Sequence, residues 1–369
     1  MIAPNIPSAP RARGLRGRAF VLGLALVLGL TGCGGAAEAP LPIVHGLEKT
    51  LIRVGAQATA YPVALYIALA QGFFREEGLT VEPISITGAD ALPQIESGLL
   101  DISQANYVST FRAVSRGKQV KLIADMFQAA PGTFALMVPK NSPIRTVADL
   151  KGRTILVNSL RNIATLAVTT QLRAAGLSEA DVTFREMPSP EMGEAIHAGQ
   201  ADAGLIIEPF IAANRGALGF RTLADAMTGR TADLPVAGWM ATGDWVLRHP
   251  KTMAAFQRAI SKAQQLAASD RKTIETTLPM YTMIDAKTAS EITLGSYPSR
   301  LDPARLQNLA DLMLEYKYLR RPVDVLSMIV RSTGPATPSS MSSASPGVRP
   351  PAGSARAQSM AGCVKWFAG

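Results

Sequence analysis

Few side chains in this sequence are placed to make or break bonds. It carries two cysteines, Cys33 and Cys363, and three histidines, His45, His197 and His249. The histidines stand in no spacing that would hold a metal or activate a nearby nucleophile. Binding chemistry is what the sequence offers instead. Ala60-Tyr61 follows the apolar run LIRVGA, Gly88-Ala89-Asp90 follows TVEPISI, and Asn158-Ser159 precedes a helical stretch. A helix start presents free N–H groups and partial positive charge, so such loops hold anions or polar groups without a lysine. Simple capping accounts for Asp90 and the loop glycine equally well. Asn106 and Tyr107 follow the strand-like DISQA. Asn can orient a polar ligand, and Tyr offers a ring and a hydroxyl; the alternative for both is loop packing. Glu208 ends the apolar run GLII and precedes Pro209. That position suits a carboxylate at the mouth of a cleft, facing an amine or amidine nitrogen, or else one that caps a turn or touches a hinge.

The elements that would position these residues repeat. LIRVGA reads as a strand, and VALYIALAQGFF after Pro62 as a helix apolar on nearly every side, hence buried. The strand TVEPISI follows, then a helix with Leu92, Ile95 and Leu99 on one face, then DISQA. The same order returns about 100 residues later: a helix over 162–175, a strand over 182–184, a helix carrying Met192, Ala195 and Ile196, and the strand AGLII. Both halves carry the same link, Ser97-Gly98-Leu99-Leu100-Asp101 and Ala198-Gly199-Gln200-Ala201-Asp202. Glycine there supplies a left-handed helix cap. Short loops and alternating elements imply an α/β fold with parallel-rich sheets and right-handed crossovers. Two such units imply two lobes, with a ligand cleft beyond the carboxyl ends of their strands. Two amphipathic helices, after Pro250 and after Asp302-Pro303, close the body. At least one of Trp239 and Trp245 belongs in the core.

Composition narrows the classes further. Charged residues make up 18% and apolar residues 47% of 369, which excludes a wholly disordered chain. The net charge of +9 sits mostly at the two ends, and the body is nearly neutral. A nucleic-acid partner, which needs a clustered basic face, is therefore not expected. Arg11, Arg13, Arg16 and Arg18 precede an unbroken apolar and glycine run over 19–30. The run has the length of a secretory signal and is too short to span a bilayer, which takes about 20 residues. It closes with Leu30-Thr31-Gly32-Cys33, which resembles the bacterial lipobox, in which the cysteine thiol is the acyl acceptor. The expected division is a signal peptide at 1–32 and a flexible stalk at 33–48. Lobe 1 is expected at 49–137 and 236–331, lobe 2 at 138–235, and a disordered tail rich in Ser, Pro and Gly at 332–369. Cys33 is the expected lipidation site and membrane anchor.

The stretch YPVALYIALAQGFFREEGLTVEPISITGADALPQIESGLLDIS resembles the solute-binding proteins of the nitrate, sulfonate, taurine and thiamine-precursor importers, the SsuA/THI5-like group. The likeness continues through Asp149-Leu150-Lys151-Gly152-Arg153, Ile207-Glu208-Pro209-Phe210, and LDPARLQNLADLMLEYKYL with Pro322-Val323-Asp324-Val325. It implies a two-lobed periplasmic-binding-protein fold of the second type, closing on one small solute through two crossover segments. Thr133 matches a position that lines the cleft in that family. The implied partners are the solute, an ABC permease and its ATPase; the protein is expected to act as a monomer, without cofactor or metal. An enzyme acting on a pyrimidine precursor is the alternative, although the related synthases rely on a cysteine-rich iron motif and the body here has no cysteine. A ligand-sensing surface lipoprotein is a further one. An aminosulfonate or an aminopyrimidine would suit both the helix starts and Glu208.

Overall fold

The computed structural model describes residues 46–88 and 90–330. The leader, Cys33, most of the stalk, Ala89 and the tail 332–369 lie outside the described residues. Ten strands are described: β1 Leu51–Ala56, β2 Thr80–Ser85, β3 Ile102–Asn106, β4 Val120–Gln128, β5 Phe134–Val138, β6 Thr154–Val157, β7 Thr183–Glu186, β8 Ala203–Ile207, β9 Arg221–Asp225 and β10 Pro235–Thr242.

They form two five-stranded sheets of one design, ordered β2-β1-β3-β10-β4 and β7-β6-β8-β5-β9. The first three strands of each are parallel, as the short helical connections require. The fourth place in each sheet is filled by an antiparallel strand that arrives from the other sheet. The chain leaves the first sheet after β4, crosses over residues 129–133 and enters the second as β5. It leaves the second after β9, crosses over residues 226–234 and returns as β10. The crossings are bonded together. Ala129 N donates to Leu234 O (3.1 Å), Ala226 N to Phe134 O (2.9 Å), and Gly132 N to Asp225 Oδ2 (2.7 Å).

The repeated glycine link does the same work in both halves. Gly98 and Gly199 adopt φ of +77° and +75°, the left-handed turn that glycine enters without a Cβ clash. Each turn delivers an aspartate to the middle one of its sheet's three parallel strands: Asp101 Oδ2 accepts from Arg53 N of β1 and Asp202 Oδ2 from Thr154 N of β6, both at 2.9 Å. Asp101 is buried and also accepts from Trp245 Nε1 (3.0 Å) and Lys49 Nζ (2.6 Å).

The helix Val63–Ala70 is enclosed as its all-round apolar sequence requires, and packs on the long helix Pro250–Ser269. Trp239 and Trp245 are both core residues. Trp239 meets Phe256 edge-on and Phe74 stacks on Phe256, each pair with centroids 5.7 Å apart. Burying rings of this size contributes about 2–3 kcal/mol apiece.

Candidate functional site

The carboxyl ends of the parallel strands from both sheets meet at one small cavity. Gln57 follows β1, Asn106 ends β3, Asn158 follows β6 and Ile207 ends β8; all four line it. This is where open α/β sheets bind ligands. Tyr61 and Phe134 form an aromatic wall, with ring centroids 6.0 Å apart and planes 18° from parallel. Tyr61 also stacks on Phe127 at 4.5 Å. Burial pushes the Tyr61 phenol well above its usual range, so it stays a neutral hydroxyl.

The remaining lining is uncharged: Gly88, Gln104, Ser109, Ser159 and Asn162 complete the polar part, and Ile163, Ile207 and Ala237 are apolar. Gln57 N donates to Gln104 Oε1 (3.0 Å), and Gln104 Nε2 returns a bond to Gln57 Oε1 (3.2 Å). Across the cavity Asn162 Nδ2 donates to Asn158 Oδ1 (3.0 Å). Two helix starts meet here, Tyr107–Val114 and Ile163–Ala174, and each is already capped by an asparagine. Asn106 Oδ1 accepts from Val108 N (3.1 Å); Asn162 Oδ1 accepts from Ala164 N (2.9 Å) and Thr165 N (3.4 Å). The N–H groups that a bare anion would seek are therefore partly taken. The cavity measures about 30 Å³, room for one or two waters. Nothing larger fits the cavity as it stands.

Of the residues expected from the sequence, Tyr61, Gly88, Asn106, Asn158 and Ser159 come together at this cavity. Ala60 lies just behind it, buried, with its carbonyl accepting from Tyr297 Oη (3.1 Å). Asp90 turns back to accept from Thr87 N (2.9 Å) and Thr87 Oγ1 (2.6 Å), bonds that hold its carboxyl below the usual range. Tyr107 points into the core, where its hydroxyl donates to Asp125 Oδ1 (2.7 Å) and Gly238 leaves space for the ring. Thr133 folds the first crossing on itself by donating to Ala130 O (2.6 Å). Glu208 is buried outside the cavity lining, and its two oxygens accept from Thr293 N (2.9 Å) and Ala212 N (3.2 Å). It thereby caps the helix Phe210–Leu218 and ties it to the segment around Thr293; burial raises its pKa.

Gln57, Gln104, Ser109, Phe134, Asn162, Ile163, Ile207 and Ala237 line the cavity without having been singled out in the sequence. Gln104, a polar residue inside the apolar run DISQA, was the legible signal among them. Phe134 and Ala237 had none, since only the exchange of β5 and β10 between sheets brings them in.

Two other hollows bear on the site. The larger, about 670 Å³, lies between β4, the helix Pro250–Ser269 and the segment ending at Val330. It is built from the first sheet's half alone. Of the three cations on it, Arg258 is tied to Glu77 and Lys262 to Glu76, and the third is Arg300. The other, about 350 Å³, shares Gly88, Asn106, Ser109 and Ser159 with the cleft cavity. Among the described residues no cluster of side chains could hold a metal ion, and no helix is long and apolar enough to cross a membrane.

Comparison with known proteins agrees with this geometry. A family model described as NMT1/THI5 like matches residues 59–273. The riboflavin-binding protein RibY of Chloroflexus aurantiacus is 28% identical over 190 residues, which is 46% of this chain and 52% of that protein. The match thus spans about half the length of that relative. A 4-amino-5-hydroxymethyl-2-methylpyrimidine phosphate synthase of Uromyces fabae is 23% identical over 240 residues, 60% of this chain and 68% of the synthase. Among solved structures, the alkanesulfonate-binding protein SsuA from Xanthomonas axonopodis pv. citri, bound to MOPS, superposes with a TM-score of 0.66. It is 21% identical, and the alignment covers 78% of this chain and all of SsuA. The fold is that of the periplasmic binding proteins.

Proposed function

The chain belongs to the NMT1/THI5-like family, and from that premise we propose that it is the solute-binding component of an ABC importer. One observation carries the reading: a closed, uncharged, amide-lined cavity built by the carboxyl ends of strands from both sheets. Two lobes, one on each sheet, part and close about the crossings at 129–133 and 226–234, and closure traps one small solute. Its partners are a permease and the associated ATPase, and it acts as a monomer outside the cytoplasm. Cys33, in its lipobox-like setting, supplies a lipid tether that keeps the receptor near its permease. A Cys33→Ala variant that stays on membranes would remove that part of the proposal.

The lining refines the ligand class. With both helix starts capped by Asn106 and Asn162, and Glu208 engaged elsewhere, the site favours an uncharged head group with amide-like edges. A flat heterocycle laid against the wall of Tyr61 and Phe134 fits better than bare nitrate. The relatives' names span riboflavin, alkanesulfonate and pyrimidine chemistry. The test is calorimetric titration of riboflavin, hydroxymethylpyrimidine and MOPS, with small-angle scattering to read compaction. Binding with compaction and quantitative recovery of the ligand is the expected result. The synthase-named relatives favour a second reading, catalysis on a pyrimidine precursor, and consumption of the ligand would establish it in place of the first.

A further inference from the structure

The 350 Å³ hollow beside the cleft is larger than the cavity it joins, and its chemistry differs. Besides Gly88, Asn106, Ser109 and Ser159 it is lined by the apolar Leu92, Met240 and Leu160 and by Arg112 and Arg116. Leu160 is 43% exposed, on a loop of the second half that otherwise carries polar residues into the cleft. No carboxylate lines the hollow.

The two arginines have no acidic partner among the described residues. Arg112 Nη1 donates only to the carbonyl of Arg161 (2.9 Å), a third cation, which itself lies over the Tyr318 ring at 5.1 Å. Burial and the neighbouring guanidiniums of Arg161 and Arg116 pull the Arg112 pKa down. Like charges four residues apart at a helix end repel one another. The dipole at that end draws in a cation, but it does not account for two, Arg112 and Arg116, lining one hollow with no carboxylate beside them.

We propose that this annex is a second subsite for the same ligand, taking an apolar spacer along Leu92, Met240 and Leu160 and an anionic terminus at Arg112 and Arg116. The ligand is then a two-part molecule: an uncharged polar head in the amide-lined cavity, and a phosphate, sulfonate or carboxylate on an arm. From Ser109 to Arg116 along the helix is about 10 Å at 1.5 Å per residue, which bounds the arm's length. Guanidinium groups suit such a terminus because they offer paired N–H donors to its oxygens. The proposal rests on the solute-binding reading above.

The experiment compares matched ligands that differ only at the terminus: riboflavin with its 5′-phosphate, hydroxymethylpyrimidine with its phosphate, and MOPS with the corresponding alcohol. Each is titrated calorimetrically at low and at physiological salt, against the wild-type protein and against Arg116→Gln and Arg116→Lys. In at least one pair the anionic member binds about tenfold tighter. That preference shrinks with salt, collapses in Arg116→Gln and is largely kept in Arg116→Lys. Equal affinity within every pair that binds, or a preference untouched by Arg116→Gln, overturns the annex alone. Binding by no member of any pair overturns the solute-binding reading as well.

Discussion

Asn106 and Asn162 each serve the fold with one atom and the site with another. The side-chain oxygen caps a helix, and the amide nitrogen is left for the cavity or for Asn158. Aspartate keeps the capping oxygen but removes the donor and adds a charge. Asn106→Asp is therefore expected to hold its melting temperature better than Asn106→Ala, which loses about 1 kcal/mol of capping. Ligand affinity should fall at least about tenfold in both. If Asn106→Asp binds as the wild type does, the amide is only a cap. A second residue-scale prediction concerns Asp125. It is 4% exposed, and burial raises its pKa to about 7; its partners are Tyr107 Oη and Met126 N, with Arg305 and Asp302 acting at longer range. A carboxyl with a raised folded-state pKa binds its proton more tightly folded than unfolded. Its stabilising contribution is complete below the unfolded value near 4 and is lost as pH rises through about 7. Asn keeps the accepting oxygen and never ionises. The stability of Asp125→Asn relative to wild type should therefore improve between pH 5 and pH 8, by at most about 3 kcal/mol, since the linkage acts only up to the folded value of about 7. Parallel melting curves across that range would show no pH-dependent gap if Asp125 stays charged throughout.

The paired links Gly98 to Asp101 and Gly199 to Asp202 show how an element can be repeated yet carry unequal energy. Both aspartates accept from a backbone N–H of a central parallel strand, but Asp101 is 6% exposed and also holds Trp245 and Lys49, whereas Asp202 sits at the surface beside Arg153. Removing Asp101 leaves a buried indole N–H without an acceptor, at about 1–3 kcal/mol. Removing Asp202 exposes groups that water can serve. Asp101→Ala should thus cost at least about 1 kcal/mol more than Asp202→Ala in denaturant unfolding, and equal costs would contradict this account. The same links explain what could be read in the sequence. Local chemistry was legible: the left-handed glycines, the apolar helix after Pro62 and the strand order within each half all follow from short-range pattern. The place of β5 was not, because nothing in FALMV says which sheet will pair with it: the expected division put it in the first lobe, and it pairs in the second sheet. Phe134, which β5 brings to the cavity lining, was therefore out of reach. Tyr107 and Glu208 sit beside residues that face the cleft, and only the turn geometry decides that they face inward instead.

At the scale of the whole molecule, the chain from the helix Pro303–Glu315 onward sets how firmly the halves stay together. That helix packs on β10 and on the helix Tyr107–Val114, both in the first sheet's half, and Val330 N returns to bond Leu122 of β4 at 2.9 Å. Between these anchors, residues 315–318 reach the second half. Arg173 lies over the Tyr316 ring at 4.0 Å, Tyr318 Oη donates to Glu179 (2.8 Å), and Arg230 pairs with Glu315. Together with the crossings, this strap bridges the two halves, and under the proposed closure its contacts belong to the closed state. A contact made only in the closed state favours that state by its full free energy, and a ligand that binds closed inherits the same factor. The cation–π pair and the hydrogen bond are each worth about 1 kcal/mol. The double variant Arg173→Gln with Tyr318→Phe, which leaves both rings in place, should lower ligand affinity about 10- to 30-fold. It should also raise the ligand-free radius of gyration in small-angle scattering, while saturating ligand restores the compact form. Unchanged affinity together with an unchanged ligand-free radius would mean that the crossings alone govern closure and that the strap merely rides on the second half.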